Sequence, residues 1–244
     1  MTPFQKKSAH AALAVMAVLA FGACNTTQGQ VLGAGQVAGP SAQTPAGSSS
    51  GGGNGTETKA ALGNGCHSGD SSKYCVALKY VVMKDANDAP AISQAETLAN
   101  LESMNKIWSQ CGITFQIDQY EEVTPSGGVS ASPSAMGELD TIRNAYGDDT
   151  TLLVATTAGS WSLSANAWTS MPGSAPYGAV IEGAVGAYAP IIAHEIGHYL
   201  SLDHVSNQAE LMNPVIYSTS TQLSEGECTA ARASIDQSWA KMVR

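Results

Sequence analysis

His194-Glu195-Ile196-Gly197-His198-Tyr199-Leu200-Ser201-Leu202-Asp203-His204 decides how this chain is read, because three of its five histidines fall within it. Residues four apart on a helix lie one turn above each other on the same face, so His194 and His198 can offer two imidazole nitrogens to one cation, with Glu195 beside them. Neutral imidazole is a good ligand for Zn2+. A helix that stops near Leu200 or Ser201 and doubles back would bring in His204 as a third nitrogen. Three protein ligands with a fourth position open is the arrangement of a catalytic zinc, whereas a structural zinc is closed by a fourth Cys or His. Three ordinary histidines on an amphipathic helix are the bland alternative. At this composition H-E-x-x-H arises by accident in roughly one chain in 200, and the added histidine makes it about one in 10,000.

Further along, Leu211-Met212-Asn213-Pro214 places a methionine eight residues after His204. With it the stretch resembles the metzincin zinc endopeptidases, whose motif is H-E-x-x-H-x-x-G-x-x-H followed by a Met-turn, and in spacing it resembles the matrixin branch. One residue departs from the pattern. Ser201 stands where the family has Gly, and a turn with positive φ there costs a non-glycine residue about 1–2 kcal/mol. The resemblance implies one catalytic Zn2+ held by His194, His198 and His204, Glu195 as general base, and Met212 as the Met-turn residue. It also implies substrate-binding segments along the cleft: Ala165, Asn166, Ala167 and Trp168 on an edge strand, and Pro214 and Tyr217 on a wall after the Met-turn. Nothing resembles a well-defined calcium loop, and calcium is left unknown.

The elements upstream suit such a fold. Residues 75–83 are apolar and rich in β-branched side chains, a central strand. In 92–110 the apolar positions Ala95, Leu98, Leu101, Met104, Ile107 and Trp108 step by three and four, a long helix with Ser93 and Glu96 as its capping box. Residues 113–120 alternate as a second strand, 135–146 can form a shorter helix, and 151–157, 163–169 and 177–182 read as three further strands. The zinc helix spans 188–200. Ser224 and Glu227 cap a last helix, with the Ala230, Ala233 and Ile235 side packed beneath the metal. Strand, helix and strands in this order predict an α/β sandwich with a twisted, mostly parallel, five-stranded sheet. The resemblance makes this a metzincin-like zincin fold, with the fourth strand an antiparallel edge bordering the cleft and a small C-terminal subdomain.

At the other end, Lys6 and Lys7 precede an apolar run at 11–21 that is too short to span a bilayer and reads as a secretory signal. Phe21-Gly22-Ala23-Cys24 resembles a bacterial lipobox, which implies lipidation at Cys24. Ordinary cleavage after Gly22 is the alternative. The expected division is a signal peptide at 1–23, a flexible Gly- and Ser-rich linker at 24–64 and a catalytic domain at 65–244. The protein is expected to be exported as a cell-envelope lipoprotein at the outer membrane or cell surface, or else secreted. Net charge −9 and pI near 4.9 argue against nucleic acid or an anionic membrane as partner, leaving the lipid anchor as the only membrane contact. A monomer acting on protein or peptide is expected.

Beyond Cys24 there are four cysteines, Cys66, Cys75, Cys111 and Cys228, an even number that favours two disulfides in an oxidising compartment. Three pairings are possible; Cys66–Cys75 and Cys111–Cys228 are favoured. A rival reading makes Cys66 a latency thiolate, resembling the matrixin cysteine switch without its flanking residues. The predicted chemistry is peptide-bond hydrolysis by a water that zinc acidifies to a pKa near 7 and Glu195 deprotonates. A serine or cysteine mechanism is disfavoured, since the one G-x-S-x-G, Gly47-Ser48-Ser49-Ser50-Gly51, falls in the Gly- and Ser-rich linker, none occurs within 65–244, and few histidines remain. The rivals are a lipid-anchored, zinc-containing binding protein without peptidase activity and a zinc hydrolase of a non-peptide substrate.

Overall fold

The computed structural model describes residues 23–24, 60–66 and 72–244. The apolar run at 11–21, most of the 24–64 stretch and His67 lie outside them.

The longest buried strand is β3, Tyr74–Met83, every residue of which after Tyr74 is buried. That continuous apolar run belongs to a parallel strand covered on both faces. Its parallel neighbours are β4, Ile113–Val123, on one side and β5, Leu152–Thr156, on the other. β7, Ala179–Ile181, continues the parallel set, and β6, Ala167–Thr169, adds to it antiparallel. Two short strands complete a seven-stranded sheet of order β1-β6-β7-β5-β3-β4-β2: β1, Ala23–Cys24, on β6 and β2, Ala60–Leu62, on β4, both antiparallel.

Alternate residues of β3 feed two cores. Val76, Leu78, Tyr80 and Val82 pack with α1, Gln94–Trp108, and with α3, Ala189–Tyr199, on one face. Val81 and Met83 pack with Leu139 and Ile142 of α2, Met136–Tyr146, on the other. α1 begins at the expected box, with the Ser93 hydroxyl accepting from the Glu96 N–H at 3.2 Å and the Glu96 carboxylate accepting from the Ser93 N–H at 2.7 Å. Its other end turns through Gly112 at φ +65°, the left-handed conformation that lets the chain reverse into β4. A second capping box, Ser224 with Glu227, opens α4, Glu225–Ser238. Cys66 is bonded to Cys75, and Cys111 to Cys228, so the end of α1 is tied to the start of α4. The bond from Cys66 leaves no thiolate there for a latency switch.

Three expectations need correction. The five-stranded sheet has seven strands, and β6 is next to the edge rather than at it; strands of two and three residues are too short to show a period, and they pair where a sheet edge offers open N–H and C=O groups. β6 starts at Ala167, not at residue 163, because the buried Glu182 carboxylate accepts hydrogen bonds from the Trp161 N–H at 2.7 Å and from the Asn166 side-chain amide, holding the preceding residues in a loop. The inward side of α4 carries Ala231, Ser234 and Ile235, whereas Ala230 is exposed.

Candidate metal centre

α3 is the buried helix of the structure, with no exposed residue along Ala189–Tyr199. Pro190 sits in its first turn, where the missing N–H is no loss. The Trp108 indole N–H of α1 reaches the Ala193 carbonyl at 3.3 Å and fixes the helix against its neighbour. Gly197 lies between the two helical histidines. A Cβ on it would stand 2.3 Å from the Met212 sulphur, so the methionine can reach the helix only because the side chain is missing.

The helix ends in a Schellman closure. The Leu202 N–H bonds the Gly197 carbonyl at 2.9 Å and the Ser201 N–H bonds the His198 carbonyl at 3.0 Å, with Ser201 at φ +67° in the position usually taken by glycine. The anticipated strain is therefore present. The Ser201 hydroxyl lies 2.9 Å from that of Ser234 on α4, a contact no glycine could make. The turn brings His204 back over the helix.

Three imidazoles converge there. Nε2 of His198 lies 3.1 Å from Nε2 of His194 and 3.1 Å from Nε2 of His204, and the three nitrogens fall within 4.8 Å of one another. Nδ1 of His194 lies 2.7 Å from the Leu211 carbonyl and Nδ1 of His198 lies 2.8 Å from that of Leu202. A carbonyl only accepts, so each Nδ1 carries the proton and each Nε2 presents a lone pair toward the other rings. Burial, aided by neighbouring His198, pushes His194 down to about 3, and burial pushes His198 down to about 4; burial also lowers His204. The rings are thus neutral, the ligand form. Tetrahedral zinc with Zn–N of 2.0–2.1 Å spaces its ligand nitrogens about 3.3 Å apart, close to the two 3.1 Å separations that His198 makes, so three neutral imidazoles gathered in this way fit Zn2+.

The Met-turn braces this arrangement from below. Met212 is fully buried, its carbonyl accepts from the Val205 N–H at 2.9 Å just after His204, and Leu211 supplies the carbonyl that orients His194. Glu195 is fully buried on the same helix. The other candidates are arranged differently. Ala165 and Ala167 are buried, Ala167 being paired with Cys24 of β1, and the Asn166 amide is turned to Glu182. Trp168 and Pro214 are half-buried, and Tyr217 is exposed.

Of the buried charged side chains that the sequence did not announce, two stand beside β6. Arg143 donates to the Gly178 carbonyl at 2.7 Å, the Trp168 carbonyl at 2.7 Å and Asp140 at 2.9 Å, tying α2 to β6 and to the turn before β7. Burial lowers its pKa, an effect opposed by Asp140 and by the charge of Glu195. Glu182 holds the loop before β6. An arginine four residues after Leu139, on the apolar stripe of a short helix, was the available signal for the first; Glu182 gave none, following a strand as any surface carboxylate does.

A mostly parallel sheet with an antiparallel strand, beside a helix whose two histidines are joined by a third across a tight turn, is the arrangement that the resemblance to the metzincins implies. The Matrixin family model matches residues 145–233, which take in β5 to β7, α3, His204, the Met-turn and most of α4. Among solved structures, the chain is similar to metalloproteinase-II from Bacteroides fragilis, at 18% identity and a TM-score of 0.47, over 68% of this chain and 55% of that one. The chain thus spans about half the length of that protein. A comparison with curated proteins gives no match.

Proposed function

We propose that the protein is a zinc-dependent endopeptidase whose metal is held by His194, His198 and His204. The observation that carries this is the convergence of three Nε2 atoms, with Nδ1 of His194 and of His198 held by backbone carbonyls. Zinc bound there would supply a Lewis acid for the scissile carbonyl and acidify a water. Glu195, adjacent to the first ligand and shut off from bulk solvent, takes the proton of the attacking water and returns it to the leaving amine. The substrate lies extended along β6. In the structure Ala23–Cys24 holds that position in antiparallel register with Ala167 and Trp168, and a substrate strand would take its place. Trp168 on one side and Pro214 and Tyr217 on the other flank the bound chain.

Glu195→Gln tests the mechanism: the variant keeps stoichiometric zinc and loses peptide hydrolysis by about 10²–10⁴. Undiminished cleavage would remove Glu195 from the chemistry. Zinc-loaded wild type that cuts no protein in a mixed proteome would favour a binding protein instead. The 1–23 segment serves as an export signal, Cys24 as a lipid attachment point and 24–64 as a tether for a monomeric domain at the cell envelope. Radioactive palmitate marking wild type but not Cys24→Ser supports this; a soluble mature chain beginning at Ala23 points to secretion.

A further inference from the structure

Building on the metal reading above, we propose that the Ser201–Ser234 hydroxyl pair is a positioning element of the metal centre, through which α4 sets where the third histidine sits. Everything that the turn delivers passes through Ser201. Leu202, the next residue, supplies the carbonyl to which His198 Nδ1 donates at 2.8 Å, and His204 follows two residues later. A rotation at Ser201 would therefore displace the carbonyl that fixes one ligand's tautomer and the backbone that carries another.

Glycine would adopt φ +67° without strain but offers no atom by which the turn could be held. Serine is strained there and can be held. Its Oγ lies 2.9 Å from Oγ of Ser234, which is buried between Ala231 and Ile235 on the inward side of α4. A hydroxyl buried in such a stripe needs a partner, and Ser201 provides it. α4 makes a firm template. Its first turn is closed by Ser224 and Glu227, Cys228 ties it to Cys111, and the Trp239 indole N–H at its end bonds the Tyr199 carbonyl at 2.8 Å. The end of α3 is thus held by α4 on both sides of its last turn, at Tyr199 and at Ser201.

Competition between a chelator and the full-length protein for Zn2+ alone tests the idea, with Co2+ absorption reporting ligand geometry. Ser201→Ala keeps the strained backbone at an exposed position and removes the clasp; it weakens Zn2+ about tenfold, the usual scale for groups that orient ligands, and shifts the Co2+ bands. Ser234→Ala does the same. Ser201→Gly relieves the strain and binds Zn2+ within about twofold of wild type, and adding Ser234→Ala to it changes nothing further. Wild-type affinity in Ser201→Ala would overturn the proposal, as would an equal loss from Ser234→Ala in the Ser201→Gly background, which would assign the effect to α4 packing. A wild type that binds no Zn2+ would instead defeat the metal reading itself.

Discussion

The two sides of the cleft are built on different terms. On the metal side every candidate ligand lies on or just after one buried helix, two of the three rings are oriented by carbonyls, and the support comes from specific side-chain contacts: Met212 against Gly197, Ser234 to Ser201, Trp239 to the Tyr199 carbonyl. On the side proposed for the substrate, Ala165 and Ala167 are buried, and the outer edge of β6 pairs through its main chain with Ala23–Cys24, the strand being backed by Arg143 and Glu182. One side depends on which atoms are present; the other depends on where the backbone runs. Substitutions should therefore act steeply and specifically on the first and shallowly on the second.

Removing a ligand should give the largest effect. His198 stands at the centre of the cluster, 3.1 Å from each neighbour's Nε2, so His198→Ala should abolish stoichiometric zinc by elemental analysis and lower peptide hydrolysis by about 10³ or more. Full zinc content in that variant would break the comparison at its root. Next is the bond that fixes α4. Cys111 and Cys228 close a loop of 117 residues, and replacing both with serine should lower stability by about 4–5 kcal/mol in the chain-entropy view, read as a fall in thermal midpoint under non-reducing conditions. An unchanged midpoint would show that α4 holds its place without the cross-link. Gly197→Ala comes third. Its methyl would stand 2.3 Å from the Met212 sulphur, so a loss of about 1–3 kcal/mol is expected, part of it recovered by Met212→Ala in the same chain. Simple additivity of the two would mean that methionine and helix do not press on each other.

The same contrast explains what the sequence allowed one to read. Ligand spacing, capping boxes and strand periods are local, so His194 with His198, Ser93 with Glu96, Ser224 with Glu227 and the run of β3 were all legible before any coordinates. Ser201 was legible as a problem and not as a solution, because its partner is 33 residues away in a stripe where a serine reads as solvent-facing. The α4 face differs from expectation for that reason: Ser234 is buried where the alanine pattern points to 230 and 233. β6 starts four residues later than its composition suggests, since nothing in residues 163–166 announces that Glu182, on the far side of β7, draws them into a loop. Tertiary hydrogen bonds between polar side chains leave no periodic trace.

The smallest expected effect is also the one that separates main-chain from side-chain recognition. The Asn166 carbonyl accepts from the Glu182 N–H at 2.7 Å, so it faces β7; alternation along an antiparallel strand then turns the N–H and C=O of Ala167 and Thr169 outward. Ala167→Pro deletes one outward N–H while leaving the β6–β7 bonds in place. A backbone hydrogen bond contributes about 0.5–1.5 kcal/mol, so KM for an extended peptide should rise roughly two- to tenfold, with kcat and zinc content little changed. Trp168→Ala provides the control, since it removes a half-buried side chain and keeps the donor; a larger loss there than in Ala167→Pro would place recognition in side-chain contacts. If Ala167→Pro leaves KM unaltered, the substrate does not add to β6 as a strand, and the contrast between the two sides of the cleft loses its second half while the metal centre stands.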